Sequence, residues 1–432
     1  MNLSFLIILI SVLYFLQNVV ESKKSNKLIQ GKDVSNTLKK KPNKNKSGKK
    51  PNKKKPVKKP TKKKTGKKPK RKTTSKPSHK PGASYKSPYY TKQNSIKYYL
   101  DKKLEKKFDM TINLQTSHIS SYTCLKIEKE KINSKKVDIY IASCSESWVK
   151  LSTKEGKPTK VCLKKDETEN KLIFYFGYAL GLVPEITRSD SNLHVKVLKE
   201  NISPISDYEK YYKVQQYSST IIANSSFDYY SKMFSSPYFK SKGKGKRTYT
   251  FLSDLGKYYE KTANMSGGFS HNDFKRLWYL YCNKKCTSLN CTNYGYPIRS
   301  CKKCRCPSPF YGEKCEKLYR NHISCGNTQE FIANSSKSFY TIKNTNIICS
   351  YSIKSKNGKK VQFNIENLNK SHVQDCNWNV NLIVKYREDK GAGGLSLCGN
   401  YTNISFPPLS SEVYLIYSGI GRGSLHFSIK EQ

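Results

Sequence analysis

The sequence predicts an α+β multidomain chain: a helix-and-strand domain, then a small disulfide-rich module, then an all-β sandwich, all behind a disordered Lys/Pro-rich N-terminal segment. Three observations carry this. Apolar periodicity begins near Ser95 and becomes strictly strand-like beyond Cys325. Six of the fourteen cysteines crowd between Cys286 and Cys315. About half of the net charge of +50 lies in one N-terminal stretch.

Residues 3–16 form an apolar run too short to cross a bilayer comfortably. With Gln17-Asn18 and Val20-Glu21-Ser22 behind it, residues 1–22 read as a signal peptide cleaved near Ser22. The protein is therefore expected to be secreted, and no later stretch reads as a transmembrane anchor. An even cysteine count and sequons at Asn201, Asn224, Asn264, Asn334, Asn369, Asn400 and Asn403 suit an extracellular glycoprotein.

From Lys23 to Tyr90 the chain holds 26 lysines and one arginine against the single acid Asp33, a net +26. Residues 23–94 therefore lack the apolar surface needed to offset chain entropy and are expected to be disordered. Two readings of this segment stand. It binds polyanions such as glycans or anionic surfaces, rather than specific nucleic acid, or it is a solvated spacer trimmed at sites such as Lys70-Arg71-Lys72.

In residues 95–282, Leu100, Leu104, Phe108 and Ile112 recur every four positions and predict a helix over Tyr98–Gln115. Strand-like alternation follows at Cys124–Ile127 and Val137–Ile141. Asp166 or Thr168 would cap a second helix carrying Phe174 and Tyr178. On its own that helix reads equally well as a buried amphipathic element.

Its continuation is more specific. Ala179-Leu180-Gly181, then Glu185, Arg188 and Asp190, resemble A-L-G followed by E-x-x-R-x-D of the astacin family of zinc metalloendopeptidases, which belong to the metzincins. Phe227–Ser235 is similar to that family's Met-turn, Y-D-Y-x-S-I-M-H-Y, with Met233 retained. His194–Val197 with Asn201-Ile202, and Phe269–Leu277, resemble its strand and last helix.

The resemblance implies a cleft between an upper sheet and a lower irregular half, with a zinc cofactor held by three histidines. Phe174, Tyr178 and Pro184 stand at those positions, Tyr175 stands at the catalytic glutamate and Ser235 at the switch tyrosine. Neither phenylalanine nor proline offers a lone pair, and a phenol ionises near pH 10, so neither zinc nor another cofactor is expected. The seven histidines show no H-x3-H or H-x-H spacing that would build a substitute. Resemblance to a peptidase family without its catalytic groups implies a pseudoprotease that binds proteins or peptides. An active zinc metalloendopeptidase and a structural matrix protein are the alternatives. In the family, Glu185 would meet the amino terminus freed by processing, and here an ion pair with Arg188 is expected. Phe174, Tyr175 and Tyr178 are expected to plug the zinc space against Met233.

Residues 283–318, ending Cys304-Arg305-Cys306 through Gly312-Glu313-Lys314-Cys315, resemble an EGF-like module. Residues 325–432, with the strand-like runs Cys349–Ile353, Val361–Ile365, Leu382–Tyr386, Val413–Tyr417 and Leu425–Ile429, resemble a CUB domain. Structural zinc is the less favoured reading of the cysteine cluster. The absence of acids before Cys286, and Asn379 where calcium-binding CUB domains hold aspartate, argue against calcium. The order of the three domains resembles secreted nematode astacins. These resemblances imply the bridges Cys124–Cys282, Cys144–Cys162, Cys286–Cys301, Cys291–Cys304, Cys306–Cys315, Cys325–Cys349 and Cys376–Cys398, which use all fourteen cysteines.

Overall fold

A computed structural model describes residues 85–432 except 131–136, 263–266, 287, 344–346, 371–381 and 419–422. The expected signal peptide, most of the basic segment, the sequon at Asn264, Cys376 and the calcium position Asn379 lie outside the described residues.

The first domain opens earlier than residue 95. Tyr85–Asn94, expected to be disordered with the basic stretch, is ordered: Tyr89–Lys92 is a 3-10 turn, Tyr90 is fully buried, and its hydroxyl donates to Ala179 O at 2.5 Å and reaches Thr159 Oγ1 at 2.8 Å. Tyr85, Tyr89 and Tyr90 supply the apolar area that the lysine run lacks.

The helix expected from Tyr98 also begins elsewhere. Ser95–Leu100 is strand β1, burying Ile96, Tyr98 and Leu100 by alternation, and helix α1 runs Lys102–Tyr122 behind an Asp101 cap whose carboxylate accepts from Lys103 N at 2.9 Å. Leu104, Phe108 and Ile112 keep their four-residue stripe on α1, whereas Leu100 belongs to the sheet. The helical period therefore holds from Leu104 onward, and Asp101 ends the strand and starts the helix.

Strands β2 (Lys126–Lys129), β3 (Ile139–Ser143), β4 (Trp148–Lys150) and β5 (Thr159–Leu163) join β1 in a sheet of order β2-β1-β3-β5-β4. All pairs are parallel except β4 with β5. Helix α2 (Glu169–Ala179) packs beside α1 and starts at Thr168, whose Oγ1 accepts from Lys171 N. The lower half is mostly irregular: a two-stranded ribbon of β6 (Val195–Val197) with β7 (Tyr249–Phe251), short helices α3 (Ile205–Tyr211), α4 (Ser219–Ile222) and α5 (Gly256–Thr262), and then α6 (His271–Cys282). Ser270 and Asp273 form a reciprocal capping box at the start of α6. Cys124 is bonded to Cys282, tying α6 to the sheet half, and Cys144 to Cys162, joining the end of β3 to the neighbouring strand β5.

The next module holds β8 (Tyr296–Pro297) with β9 (Cys304–Arg305), and β10 (Phe310–Tyr311) with β11 (Lys317–Leu318). Such short ribbons bury little, and three bridges, Cys286–Cys301, Cys291–Cys304 and Cys306–Cys315, hold them.

The last domain is a β-sandwich. One sheet has the order β12 (Glu330–Ala333), β14 (Cys349–Ser355), β19 (Glu412–Tyr417), β16 (Leu382–Lys385), β17 (Leu395–Leu397). The other has the order β13 (Ser338–Lys343), β20 (Gly423–Glu431), β15 (Val361–Lys370), β18 (Tyr401–Phe406). Phe363, Ile365, Leu382, Val384, Leu415 and Phe427 are fully buried between them. Strands β12, β13, β17 and β18 have no counterpart in the sequence reading, since each lies at a sheet edge where the apolar alternation is weakest. Cys325 is bonded to Cys349; Cys398 is also bridged, but its expected partner Cys376 lies outside the described residues.

Candidate functional site

Helix α2 ends through Gly181, whose φ of +91° lets the chain reverse so that Leu182 N donates to Gly177 O at 3.0 Å. Every residue from Leu172 to Ala179 is buried, so the helix is a core element with no solvated face over that span. Phe174 packs 5.0 Å from Phe239 and 5.8 Å from Tyr211, ring to ring, and Tyr178 lies 5.6 Å from Tyr211. Besides Tyr175, 5.6 Å from Phe174, the ring partners of Phe174 and Tyr178 are thus Tyr211 and Phe239, neither of which the sequence singled out. Met233 instead meets α2 at Gly177: a β-carbon there would sit 2.8 Å from its Sδ.

Zinc does not suit this donor set. Phe174 and Pro184 carry no donor atom. Burial pushes the Tyr178 phenol far above its ordinary range, the opposite of what a metal-bound phenolate needs. Among the described residues no group of three or more His, Cys, Asp and Glu converges on one point. Tyr175 is equally unsuited to act as a base. Its hydroxyl donates to Ser147 O at 3.2 Å, and burial raises its pKa strongly.

Beside Phe174 a pocket of about 320 Å³ remains. Phe174, Phe234 and Phe239 form its apolar wall, and Thr168, Asn170, Ser235 and Lys232 its polar one. Ser235 is half-buried here, and Met233 lies beneath it in the core. Lys232 donates from Nζ to Asn170 Oδ1 at 2.5 Å, and burial pulls its ammonium down to about 8. The pocket thus combines aromatic faces with an amine and hydroxyls. That chemistry suits binding a side chain or a small polar group.

Below the pocket lies a buried ionic floor. Glu185 is completely buried; its Oε1 pairs with Arg276 Nη1, while its Oε2 accepts from Asp228 N at 3.1 Å. Arg188, the partner expected from sequence, is ion-paired with Glu185 at 3.6 Å and also gives its fork to Asp190, with two bonds of 2.8 Å. Burial raises the Asp190 carboxyl, but this fork prevails and holds it below the usual range. Arg276 was missed because one charged residue in a helical stripe carries no signal until its neighbours, Asn272 and Asp273, are also found buried. Glu185 N donates to Met233 O at 3.0 Å, and Asp273 accepts from Ser231 Oγ at 2.5 Å and Lys232 N at 2.9 Å. The ionic floor therefore fixes the 231–233 turn that carries the pocket's lysine.

The sandwich completes this floor. From the loop between β16 and β17, Asp389 Oδ2 accepts from Ser226 N at 2.8 Å and Asn272 Nδ2 at 3.0 Å. Gly393 N donates to Asp228 Oδ1 at 2.9 Å, Arg387 Nη1 donates to Phe227 O at 2.5 Å, and the hydroxyls of Tyr386 and Tyr259 lie 3.0 Å apart.

The family model for the astacin peptidases matches residues 84–282. The zinc metalloproteinase nas-34 of Caenorhabditis elegans is 30% identical over 257 residues, covering 58% of this chain and 40% of that protein. Zinc metalloproteinase nas-36 of Brugia malayi is 27% identical over 212 residues, covering 46% of this chain and 35% of that one. The chain thus spans well under half the length of these curated relatives. High choriolytic enzyme 1, a hatching enzyme zinc-protease of the medaka Oryzias latipes, superposes with a TM-score of 0.36 at 21% identity, over 46% of this chain and 94% of that one. The family match begins at the ordered tyrosines and ends at the cysteine closing α6, so the similarity to the astacin peptidases covers the first domain, residues 84–282.

Proposed function

We propose that this protein is a catalytically inactive astacin-type pseudoprotease that works outside the cell by binding a peptide or protein segment in the pocket beside Phe174. One observation carries the reading. Ala179-Leu180-Gly181 and Met233 keep the family's pattern, yet the positions that the resemblance assigns to zinc hold Phe174, Tyr178 and Pro184, and a pocket of about 320 Å³ lies beside Phe174. An edge of aromatic rings with Lys232 and serine hydroxyls offers both apolar contact and polar fixation to an extended chain.

The finer architecture belongs to the same proposal: residues 283–318 as an EGF-like module, 325–432 as a CUB domain, and residues 23–94, less their ordered end, as a polyanion-binding tail. The disulfides support secretion, since bridges of this density persist in oxidising compartments. The relatives are named zinc metalloproteinases, which favours the second reading, an active zinc enzyme. Plasma emission measurement of metal in the purified protein, together with a fluorogenic peptide assay with and without a chelator, separates the two. Metal-free protein that binds peptides without cleaving them supports the proposal. Stoichiometric zinc with chelator-sensitive cleavage overturns it.

A further inference from the structure

A second pocket, of about 530 Å³, lies apart from the cleft where the 3-10 turn Tyr89–Lys92, the start of α4 and the end of α6 meet. Three of its lining residues are lysines, Lys92, Lys284 and Lys285, and none is acidic. Among the described residues none of the three lysines has an ion-pair partner. Lys284 and Lys285 directly follow the carboxyl end of α6, and a helix end carries roughly half a negative charge. Even after that offset, more than about two positive charges remain facing the pocket.

The rest of the lining is rich in groups that pair with hydroxyls. Asn94, Asn283 and Ser218 present amides and a hydroxyl from three separate segments, and Leu280 contributes an apolar patch. The volume falls within the roughly 300–1,000 Å³ typical of ligand sites, room for about two sugar rings. A nucleic acid would call for an exposed aromatic face on which to stack. The one ring here, Tyr281, is buried and donates its hydroxyl to Leu180 O at 2.9 Å.

We infer that this pocket binds a sulfate-bearing saccharide, the lysines taking the sulfates and the amides and hydroxyl taking the sugar hydroxyls. The site belongs to the folded domain and is independent of the peptide pocket.

The test uses the full chain and a heparin-derived hexasaccharide, measured by titration calorimetry at fixed salt. Replacing Lys92, Lys284 and Lys285 by glutamine is expected to weaken binding about tenfold or more. Replacing Lys53, Lys54 and Lys55 by glutamine removes the same charge from the basic segment and is expected to cost less than about threefold. Equal losses would mean that only total charge matters and would overturn the inference. So would equal affinity for the desulfated hexasaccharide, or for inorganic sulfate alone. Hydrogen exchange on the unaltered protein gives an independent readout. The hexasaccharide is expected to protect 87–94 and 280–285, and protection confined elsewhere would also overturn the inference.

Discussion

Arg276 and Glu185, 91 positions apart, form an ion pair with both side chains almost entirely out of water. The guanidinium also donates from Nε to Ser225 Oγ at 2.9 Å, so the pair is held by neutral partners as well as by charge. Removing one member of such a pair leaves the other buried without its nearest counter-charge, which costs more than the pair itself is worth.

Arg276→Met is therefore expected to destabilise the protein by about 3–5 kcal/mol, measured by urea unfolding. The double variant Arg276→Met with Glu185→Gln is expected to recover part of that loss, because neither member then lies buried without the other. A double variant no more stable than the single would show that the charge pairing is not what matters.

Asp389 belongs to the sandwich but accepts bonds from Ser226 and Asn272 of the first domain. Asp389→Ala is expected to cost about 2–3 kcal/mol, in the range for hydrogen bonds to a charged group. Faster hydrogen exchange at 225–233, with the remote β1–β3 pairing unchanged, is the expected signature. Unchanged exchange at 225–233 would mean that the loop does not hold the floor.

Chelation gives a direct check on the helix. With Phe174 and Pro184 lacking donor atoms, excess 1,10-phenanthroline is expected to leave the thermal midpoint of the first domain unchanged. For a zinc-filled site the midpoint would fall by several degrees, as loss of a tightly bound ion removes its binding free energy from the folded state.

Two buried groups set opposing pH dependences. Burial pushes His271 down to about 3 from an ordinary 6.5, its ring lying 3.0 Å from the Tyr294 carbonyl. The unfolded chain takes up this proton first, so the stability contributed is full above 6.5 and is lost as pH falls toward 3. Burial, with Glu185 and Asp273 nearby, pushes Asp228 up to about 6 from 3.8. Its contribution has the reverse sign: it is present below 3.8 and lost as pH rises through 6. Between pH 6 and 4 the two partly cancel, each with a limiting slope of about 1.4 kcal/mol per pH unit. In urea midpoints measured across pH 4–8, Asp228→Asn is expected to steepen the acid loss and His271→Gln to flatten it.

Much of the architecture was legible in the sequence because it is written in local terms. The four-residue stripe Leu104-Phe108-Ile112, the Thr168 cap, Gly181 after Ala179-Leu180 and five of the sandwich strands each depend on a few neighbouring residues. So does the loss of donor atoms at Phe174 and Pro184, which is a matter of residue identity. The tertiary structure alone decided what those residues touch. It turned Leu100 into a strand residue, ordered Tyr85–Asn94 against Ala179, gave Glu185 a second partner in Arg276 beside Arg188, and brought Asp389 beneath the 226–233 segment. These are long-range pairings between charged or aromatic groups. Their energy comes from removing both partners from water together, and no periodicity along the chain records which partner that will be.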